Sequence, residues 1–130
     1  MTILKWQQGS ALHVTIFAQD RIAGVVGYNQ IDRVNHIGHL GYWLGEEYNG
    51  KGIMTKSVRE LIEVGFDYYG LNRVEIRCAV GNNRSRALPE RLGFKNESII
   101  REAEKLLDKY VDHVVYGLLR SEYIIKSDRN

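Results

Sequence analysis

The stretch that decides the fold runs Gly41-Tyr42-Trp43-Leu44 and, beyond residues 45–48, Asn49-Gly50-Lys51-Gly52-Ile53-Met54-Thr55. This order predicts a strand, a short loop with two glycines, and the first turn of a helix. The first turn of a helix leaves backbone N–H groups without helical partners, and the helix dipole there favours negative charge. Gly50 and Gly52 have no Cβ, so a ligand can approach the main chain closely. The stretch therefore predicts a phosphate-binding loop, with an ordinary core helix after a tight turn as the alternative.

The helix that follows has a clear amphipathic pattern. Apolar or small residues recur at helical spacing, namely Met54, Val58, Leu61, Ile62, Gly65, Phe66 and Tyr69, and charged residues lie opposite them, namely Lys56, Arg59, Glu60, Glu63 and Asp67. We expect Thr55 or a nearby residue to cap the first turn, and Gly70 to end the helix in the left-handed conformation.

Residues 45–52 also come close to the nucleotide-binding pattern G-x-x-x-x-G-K-[ST]. The pattern fails at its last place, where Gly52 offers no hydroxyl to Mg²⁺. Glu46 and Glu47 would also put two carboxylates inside a loop that has to cradle a triphosphate. A nucleotide triphosphatase is therefore disfavoured, and no metal site is predicted.

Further along, the sequence reads Asn82-Asn83-Arg84-Ser85-Arg86-Ala87-Leu88-Pro89-Glu90-Arg91-Leu92-Gly93-Phe94. This block resembles the second signature of the GNAT acyltransferases, in which an Asn precedes a short helix that ends in a Gly-Phe turn. Taken together, the two blocks resemble the GNAT branch that includes ribosomal-protein N-acetyltransferases of the RimJ/RimL type. The resemblance extends over residues 11–123.

This resemblance implies transfer of an acetyl group from acetyl-CoA to an amine by direct attack on the thioester, with a protein N-terminal amine as one acceptor. The cofactor contacts that it implies are Tyr42, Trp43 and Leu44 on the strand, Asn49, Gly50, Lys51, Gly52, Ile53, Met54 and Thr55 in the loop and first turn, and Asn82 and Ser85. Arg84 and Arg86 are further basic groups near the cofactor, although exposed arginines at a helix edge are usually only solvated.

The catalytic residues implied by the resemblance are less regular. Many GNAT enzymes carry a Tyr seven residues after the signature Asn, which protonates the leaving thiolate, and here that place is Pro89. Ser85 matches a Ser of the RimJ/RimL branch and is the candidate proton donor, with a helix N-cap as the alternative. His39 is the candidate base, against a structural histidine as the alternative. Weaker candidates for the base are Glu46, Glu47 and Glu75, and Asp112 is expected to make a structural hydrogen bond.

Composition bounds the class of protein. A chain of 130 residues fits one domain, 1–130, with enough buried surface for one core. The net charge of +2 is too small to indicate nucleic acid, and no apolar run approaches a membrane span. Cys78 is the single cysteine, which excludes an internal disulfide and suits a reducing cytoplasm.

The predicted fold is α/β (α+β): a GNAT-like, mixed, mostly antiparallel sheet with helices on its faces. The predicted strands are residues 11–17, 21–28, 36–44, 73–80, 95–101 and 110–119, with a charged loop or helical turn over residues 102–109. The family's first strand and two helices have no counterpart before Ala11, and residues 2–8 are expected to be at most the tail of the second helix. The chain is thus expected to be an N-terminally shortened member, or to take its acceptor wall from elsewhere.

Two further hypotheses follow from this shortening. One is a CoA-binding or partner-binding domain without catalysis. The other is a homodimer or larger assembly, in which a second subunit covers an unprotected edge near residues 11–17 or, alternatively, contacts residues 110–119.

Overall fold

The computed structural model describes residues 2–8, 11–18, 20–45 and 52–123. Contacts divide the chain into two compact units, with the boundary between Val74 and Glu75. The hypothesis of a single domain over residues 1–130 stays a prediction.

The first unit contains four antiparallel strands in the order β1-β2-β3-β4. They are β1 (Thr2–Gln8), β2 (Ala11–Ala18), β3 (Arg21–Asp32) and β4 (Ile37–Leu44). The apolar residues of β2 alternate with polar ones, and Leu12, Val14 and Ile16 are buried on one face. This period of two is the pattern expected of a strand with one face on a core.

Strand β1 corrects an expectation from the sequence. Residues 2–8 form a strand and not the tail of a helix, and they pair with β2 from Thr2 opposite Phe17 to Gln8 opposite Ala11. The Thr, Ile and Trp residues of this segment favour extended backbone. The expectation of an unprotected edge near residues 11–17 is therefore wrong, because β1 covers that edge with main-chain hydrogen bonds.

Helix α1 (Ile53–Glu63) continues directly into a π-helical turn, Val64–Tyr68. The predicted apolar face is confirmed: Met54, Val58, Leu61, Ile62, Gly65 and Phe66 are buried, whereas all five charged residues opposite them are exposed. Tyr69 lies just beyond the helical turns. Gly70 follows with φ of 66°, the left-handed conformation predicted for it.

A buried tyrosine joins the sheet of the first unit to its helix. Tyr28 on β3 is completely buried, and its hydroxyl donates a 2.7 Å hydrogen bond to the main-chain carbonyl of Leu61 in α1. Burial raises the pKa of the Tyr28 hydroxyl far above its ordinary value, with a smaller contribution from Tyr69. The hydroxyl therefore stays protonated and remains a donor.

The second unit is built on strands in the order β5-β7-β6. Its elements are β5 (Arg73–Ala79, whose first two residues belong to the first unit), α2 (Asn83–Arg91), β6 (Lys95–Leu106) and β7 (Lys109–Leu119). The predicted alternation on β5 is confirmed, because Val74, Ile76 and Cys78 are all buried. Residues 114–118 of β7 are buried as well. Residues 114–118 are therefore shielded from a partner, whereas Tyr110 and Leu119 are exposed, and the contact over residues 110–119 stays a prediction.

The β6–β7 hairpin is longer than predicted. We expected a loop or helical turn over residues 102–109, but both strands continue and meet at the two-residue turn Leu107-Asp108. Residues 101–110 are all exposed. The charged residues of this segment therefore belong to a two-stranded ribbon that is exposed to solvent, and they do not mark where the strands end.

A bulge interrupts this hairpin. Ile100 pairs with His113 and Glu104 with Val111, so three residues of β6 lie opposite Asp112. The Asp112 carboxylate accepts a 2.8 Å hydrogen bond from the N–H of Glu102, which confirms the structural role expected of Asp112. Bulges of this kind bend an edge strand and obstruct further strand pairing.

Candidate cofactor and acyl-transfer site

The predicted site residues of the first unit fall on the end of β4 and the first turn of α1. The loop residues Asn49, Gly50 and Lys51, with Glu46 and Glu47, lie outside the described residues. The remaining positions of the predicted phosphate loop are therefore Gly52 and the first turn of α1.

The end of β4 is held in an extended conformation by β3. Tyr42 lies opposite Val26, and pairing continues past Leu44 through a 2.8 Å hydrogen bond from the Gly45 N–H to the Ala23 carbonyl. An extended main chain is what a strand needs to add a peptide-like ligand such as a pantetheine arm. The geometry of residues 42–44 is thus compatible with the predicted cofactor contact.

His39 and Trp43 share one face of β4, because side chains alternate along a strand. Tyr42 points to the opposite face, so the structure does not bring the candidate base next to that residue. Trp43 is 57% exposed and His39 is half-buried. The pKa of Asp32 is lowered mainly by hydrogen bonds from Asn35, and the charge of His39 contributes slightly. His39 therefore lies within electrostatic reach of Asp32, and its role as a base stays a prediction.

The first turn of α1 begins at an open glycine. Gly52 is the N-cap with φ of 74°, it is exposed, and a Cβ placed there would meet nothing within 4 Å. The first helical hydrogen bond runs from the Lys56 N–H to the Gly52 carbonyl (3.1 Å). The N-cap position is Gly52 and not Thr55, and Gly52 has no side chain to make a capping hydrogen bond.

The charge at this helix start suits an anion. The first turn contains no acidic residue, so no carboxylate of that turn offsets the positive end of the helix dipole. The N–H groups of residues 53–55 precede the first helical donor, Lys56, and such groups are the ones that hold phosphate in other helices. The described part of the loop therefore has the features of a phosphate site.

In the second unit, α2 is capped by Asn82. Its side-chain Oδ1 accepts a 3.1 Å hydrogen bond from the Ser85 N–H, and its carbonyl accepts one from the Arg86 N–H at 3.0 Å. The N-cap role considered for Ser85 is therefore wrong, because Asn82, three residues earlier, occupies that position. An amide whose oxygen is used in this way retains its NH₂ group as a donor.

Pro89 lies inside α2 and is buried. Proline has no N–H to give to the helical ladder, yet the helix continues to Arg91 and ends with a 2.9 Å hydrogen bond from the Phe94 N–H to the Pro89 carbonyl. The position that carries a proton-donating Tyr in many GNAT enzymes is thus taken by a core residue.

A network that the sequence did not predict joins α2 to β7. The hydroxyl of Tyr116 donates to Glu90 Oε2 (2.7 Å) and accepts from Arg86 Nε (3.0 Å). Arg86 Nη1 also donates to the Val80 carbonyl (2.9 Å). Arg86 is therefore engaged with protein groups, in contrast to Arg84, which is exposed. The only local signal was the spacing of Arg86 and Glu90, four residues apart on a helix.

Ranges 2–8, 11–18, 20–45 and 52–123 contain no group of three or more His, Cys, Asp or Glu side chains that could hold a metal ion. Among those same residues, no helix has the length and hydropathy required to cross a membrane.

Known proteins resemble this chain in sequence. It is 41% identical over 102 residues to the putative ribosomal N-acetyltransferase YdaF of Bacillus subtilis (strain 168). The alignment covers 78% of this chain and 56% of that protein. It is 34% identical over 115 residues to the ribosomal-protein-serine acetyltransferase of Escherichia coli (strain K12), covering 88% and 64%. The chain thus spans less than two thirds of the length of these relatives.

Solved structures resemble it in fold. A probable acetyltransferase matches with a TM-score of 0.84 and 37% identity, over 87% of this chain and 64% of that one. RimL, a ribosomal L7/L12 alpha-N-protein acetyltransferase solved in complex with coenzyme A, matches with a TM-score of 0.80 and 33% identity, over the same shares. The predicted mixed α/β, GNAT-like fold is confirmed by these matches.

The family model for the acetyltransferase (GNAT) domain matches residues 1–95. That range contains all of the first unit, including the strand, the open glycine and the helix start described above, and the Asn82 cap of the second unit. The chain belongs to the GNAT acetyltransferase family.

Proposed function

We propose that this chain transfers an acetyl group from acetyl-CoA to an amine. The observation that carries the proposal is the GNAT domain match over residues 1–95. It is supported by the first turn of α1, which follows the exposed, left-handed Gly52 and contains no acidic residue. The structurally similar RimL was solved with coenzyme A, and MccE, 35% identical with a TM-score of 0.76, was solved with acetyl-CoA and AMP.

Within the first unit, the first turn of α1 would hold the pyrophosphate through the N–H groups of residues 53–55, together with Asn49, Gly50 and Lys51. The main chain of residues 42–44 would hydrogen-bond the pantetheine arm as an added strand. An N–H of that strand would also polarise the thioester carbonyl where negative charge develops.

Within the second unit, Asn82 would contribute a donor. Its Oδ1 already accepts the Ser85 N–H, so its NH₂ group is the part offered to a ligand, and the matching group on the cofactor arm is an amide carbonyl. Ser85 would protonate the departing thiolate. In the balanced step, the amine nitrogen forms a bond to the acetyl carbon, the C–S bond breaks, the sulfur gains a proton, and the amine loses one.

The acceptor we propose is a protein N-terminal amine. An α-amino group with a pKa near 7.8 is about one-seventh neutral at pH 7, whereas a lysine near 10.4 is neutral for less than about 0.1% of the time. A modest base such as His39, acting through water, can therefore serve an N-terminal amine more readily than a lysine. The structurally similar RimL, a ribosomal L7/L12 alpha-N-protein acetyltransferase, supports the same class of acceptor.

The test is turnover with matched peptides. One peptide has a free N-terminus and no lysine, and its partner has a blocked N-terminus and one lysine. We expect thiol release and a mass increase with the first peptide and much less with the second. Preference for the lysine peptide would contradict the acceptor, and absence of thiol release with any amine would contradict the activity.

The alternative is a CoA-binding domain without catalysis. Saturable acetyl-CoA binding by calorimetry, combined with no turnover on any peptide or polyamine, would select this alternative.

Self-association and a cytoplasmic location are parts of the same proposal. The edge of β2 is covered by β1 and residues 114–118 of β7 are buried, so a partner copy would have to use other surfaces. The β6–β7 hairpin exposes apolar side chains, namely Ile99, Leu106, Leu107 and Tyr110. Light scattering of the wild type and of a Tyr110→Ser variant would show whether the chain associates and whether the hairpin takes part.

A further inference from the structure

We propose that Tyr116 is a positioning residue for the transfer reaction, which orients the first turn of α2 through Arg86 and Glu90. The inference rests on the proposed function, because that turn carries Asn82 and Ser85. Tyr116 belongs to neither of the two sequence blocks that resemble the GNAT signatures.

The hydroxyl of Tyr116 is held by two groups one helical turn apart. Arg86 Nε lies 3.0 Å from it and Glu90 Oε2 lies 2.7 Å from it, while Arg86 Nη2 and Glu90 Oε2 are 3.8 Å apart. Tyr116 itself is completely buried on β7. Rotation of α2 about its axis, or sliding along β7, would lengthen at least one of these bonds, so the three groups fix the helix in one orientation.

Arg86 extends this hold to the turn before the helix. Its Nη1 donates to the Val80 carbonyl (2.9 Å), and the Val80 N–H donates to the Asp112 carbonyl on β7 (2.9 Å). Asn82 is two residues beyond Val80, and its own carbonyl accepts the Arg86 N–H. Arg86 therefore donates to a carbonyl before Asn82, that of Val80, and to the carbonyl of Asn82 itself, while β7 accepts the Val80 N–H. These bonds hold the turn that carries Asn82.

The Tyr116 hydroxyl has no proton left to donate to a substrate, and it is shielded from solvent. Its proton is given to Glu90 and a lone pair accepts from Arg86, and the side chain has no exposed surface. It can act on the reaction only through the helix. Reacting groups have to be held to within about 0.5 Å, and a misplacement of about 1 Å can lower a rate by about 10²-fold.

The decisive variant is Tyr116→Phe, which keeps the ring and removes the hydroxyl. We expect kcat/KM with acetyl-CoA to fall by about 10- to 10²-fold at a temperature where circular dichroism shows the fold intact. In the Ser85→Ala background the same change should have much less effect, because two residues that act through one catalytic turn are not additive.

Two controls separate positioning from stability. The first control is Tyr28→Phe in the first unit, which also removes the hydroxyl of a completely buried tyrosine, here one that bonds a main-chain carbonyl. This variant should have a lower melting temperature and an unchanged kcat. Glu90→Gln keeps an acceptor for the hydroxyl and should retain activity, whereas Glu90→Leu should behave like Tyr116→Phe. A wild-type kcat/KM in Tyr116→Phe, or an equal loss in both backgrounds, would overturn the inference.

Failure of the proposed function has a different signature. If the wild type binds acetyl-CoA without turning it over, the activity is absent and binding becomes the readout. Tyr116→Phe should then weaken acetyl-CoA binding, and should do so much less in an Asn82→Ala background. Unchanged binding in Tyr116→Phe would overturn the positioning role on its own.

Discussion

The hydroxyl of Tyr28 donates to the carbonyl of Leu61 at 2.7 Å, just before α1 changes from an α-helix to a π-helix. The N–H of Val64 is shared between the carbonyls of Glu60 and Leu61, and the N–H of Tyr69 then reaches back five residues to Val64. A side chain that enters the helical hydrogen-bond ladder is one of the known causes of a helix kink. The Tyr28 hydrogen bond thus lies within one turn of the start of the π-helical segment at Val64.

Removal of this hydroxyl is expected to destabilise the protein. Tyr28→Phe removes the side-chain donor of the Leu61 carbonyl, which still accepts from the Val64 N–H, so we expect the net loss typical of one hydrogen bond, about 0.5–1.5 kcal/mol. Urea denaturation of the purified variant measures this cost. A free energy of unfolding equal to that of the wild type would show that the hydrogen bond contributes nothing net.

Gly65 provides a second test of the same contact. A Cβ at position 65 would collide with the Tyr28 hydroxyl, with further contacts to Tyr28 Cζ at 3.0 Å and Leu71 Cδ1 at 3.1 Å. Gly65→Ala should therefore be destabilising in the wild type and less so in Tyr28→Phe, where the nearest atom is gone. The relief is partial because the other two contacts remain, and strictly additive effects would contradict this packing account.

Elements with a regular local pattern were predictable. The apolar face of α1 follows from spacing alone, since Met54, Val58, Leu61 and Ile62 recur at the helical period with charges opposite them. The same holds for the alternation on β5. Gly70 was predictable because a glycine after the last apolar residue is the usual left-handed end of a helix.

Elements that depend on distant partners were not predictable. Residues 2–8 form a strand that pairs with β2, a partner outside the segment itself. Residues 102–109 resemble a loop in sequence because they are charged and exposed along the whole ribbon. Tyr116 lies 26 residues from Glu90 and 30 from Arg86, so no local pattern connects Tyr116 to these two residues. The choice of Asn82 over Ser85 as cap depends on backbone geometry, because the sequence supplies both residue types within one turn.

The phosphate loop is tested by a pair of matched glycines. Gly52 and Gly70 have φ of 74° and 66°, and each has open space around a Cβ. Gly52→Asp and Gly70→Asp therefore carry the same backbone strain and the same added charge. We expect only Gly52→Asp to lose acetyl-CoA affinity in calorimetric titration, because it places a carboxylate where the pyrophosphate should bind. Equal affinities for the two variants would show that the first turn of α1 does not bind the cofactor.

Ser85 is expected to affect the rate and not the stability. Since Asn82 is the cap and uses the Ser85 main-chain N–H, Ser85→Ala leaves that hydrogen bond in place. If Ser85 donates the proton to the thiolate, kcat should fall by about 10²–10⁴-fold with little change in acetyl-CoA binding. A kcat within a factor of two of the wild type would assign the proton to another donor.

The two roles of Asn82 are separable by substitution. Asn82→Asp keeps an oxygen that can accept the Ser85 N–H but loses the NH₂ donor, whereas Asn82→Ala loses both. We expect Asn82→Asp to retain the stability of the wild type and to bind acetyl-CoA more weakly. Asn82→Ala should in addition lose about 0.5–2 kcal/mol of stability, the usual effect of a missing cap. Wild-type affinity in Asn82→Asp would show that the amide does not contact the cofactor.

Asp32 gives the protein a predictable response to acid. Its carboxylate accepts hydrogen bonds from the N–H of Asn35, from the Asn35 side chain and from the N–H of Val34, each at 3.0 Å. These bonds, with the Asn35 backbone bond as the largest contribution, hold the pKa of Asp32 below its ordinary value in the folded protein. The charged form is thus favoured by folding.

The sign of the effect follows from this lowered pKa. The contribution of Asp32 to stability is complete above its ordinary pKa, at about pH 4, and is lost as the pH falls through the lower folded-state pKa. The wild type should therefore exceed Asp32→Asn in stability by a constant margin above about pH 4, and the margin should shrink in more acidic solution. Denaturation at a series of pH values measures the margin, and NMR titration of the Asp32 carboxyl measures the pKa. A margin that grows on acidification, or a carboxyl pKa at its ordinary value, would contradict the role of the turn formed by Asp32 and Asn35.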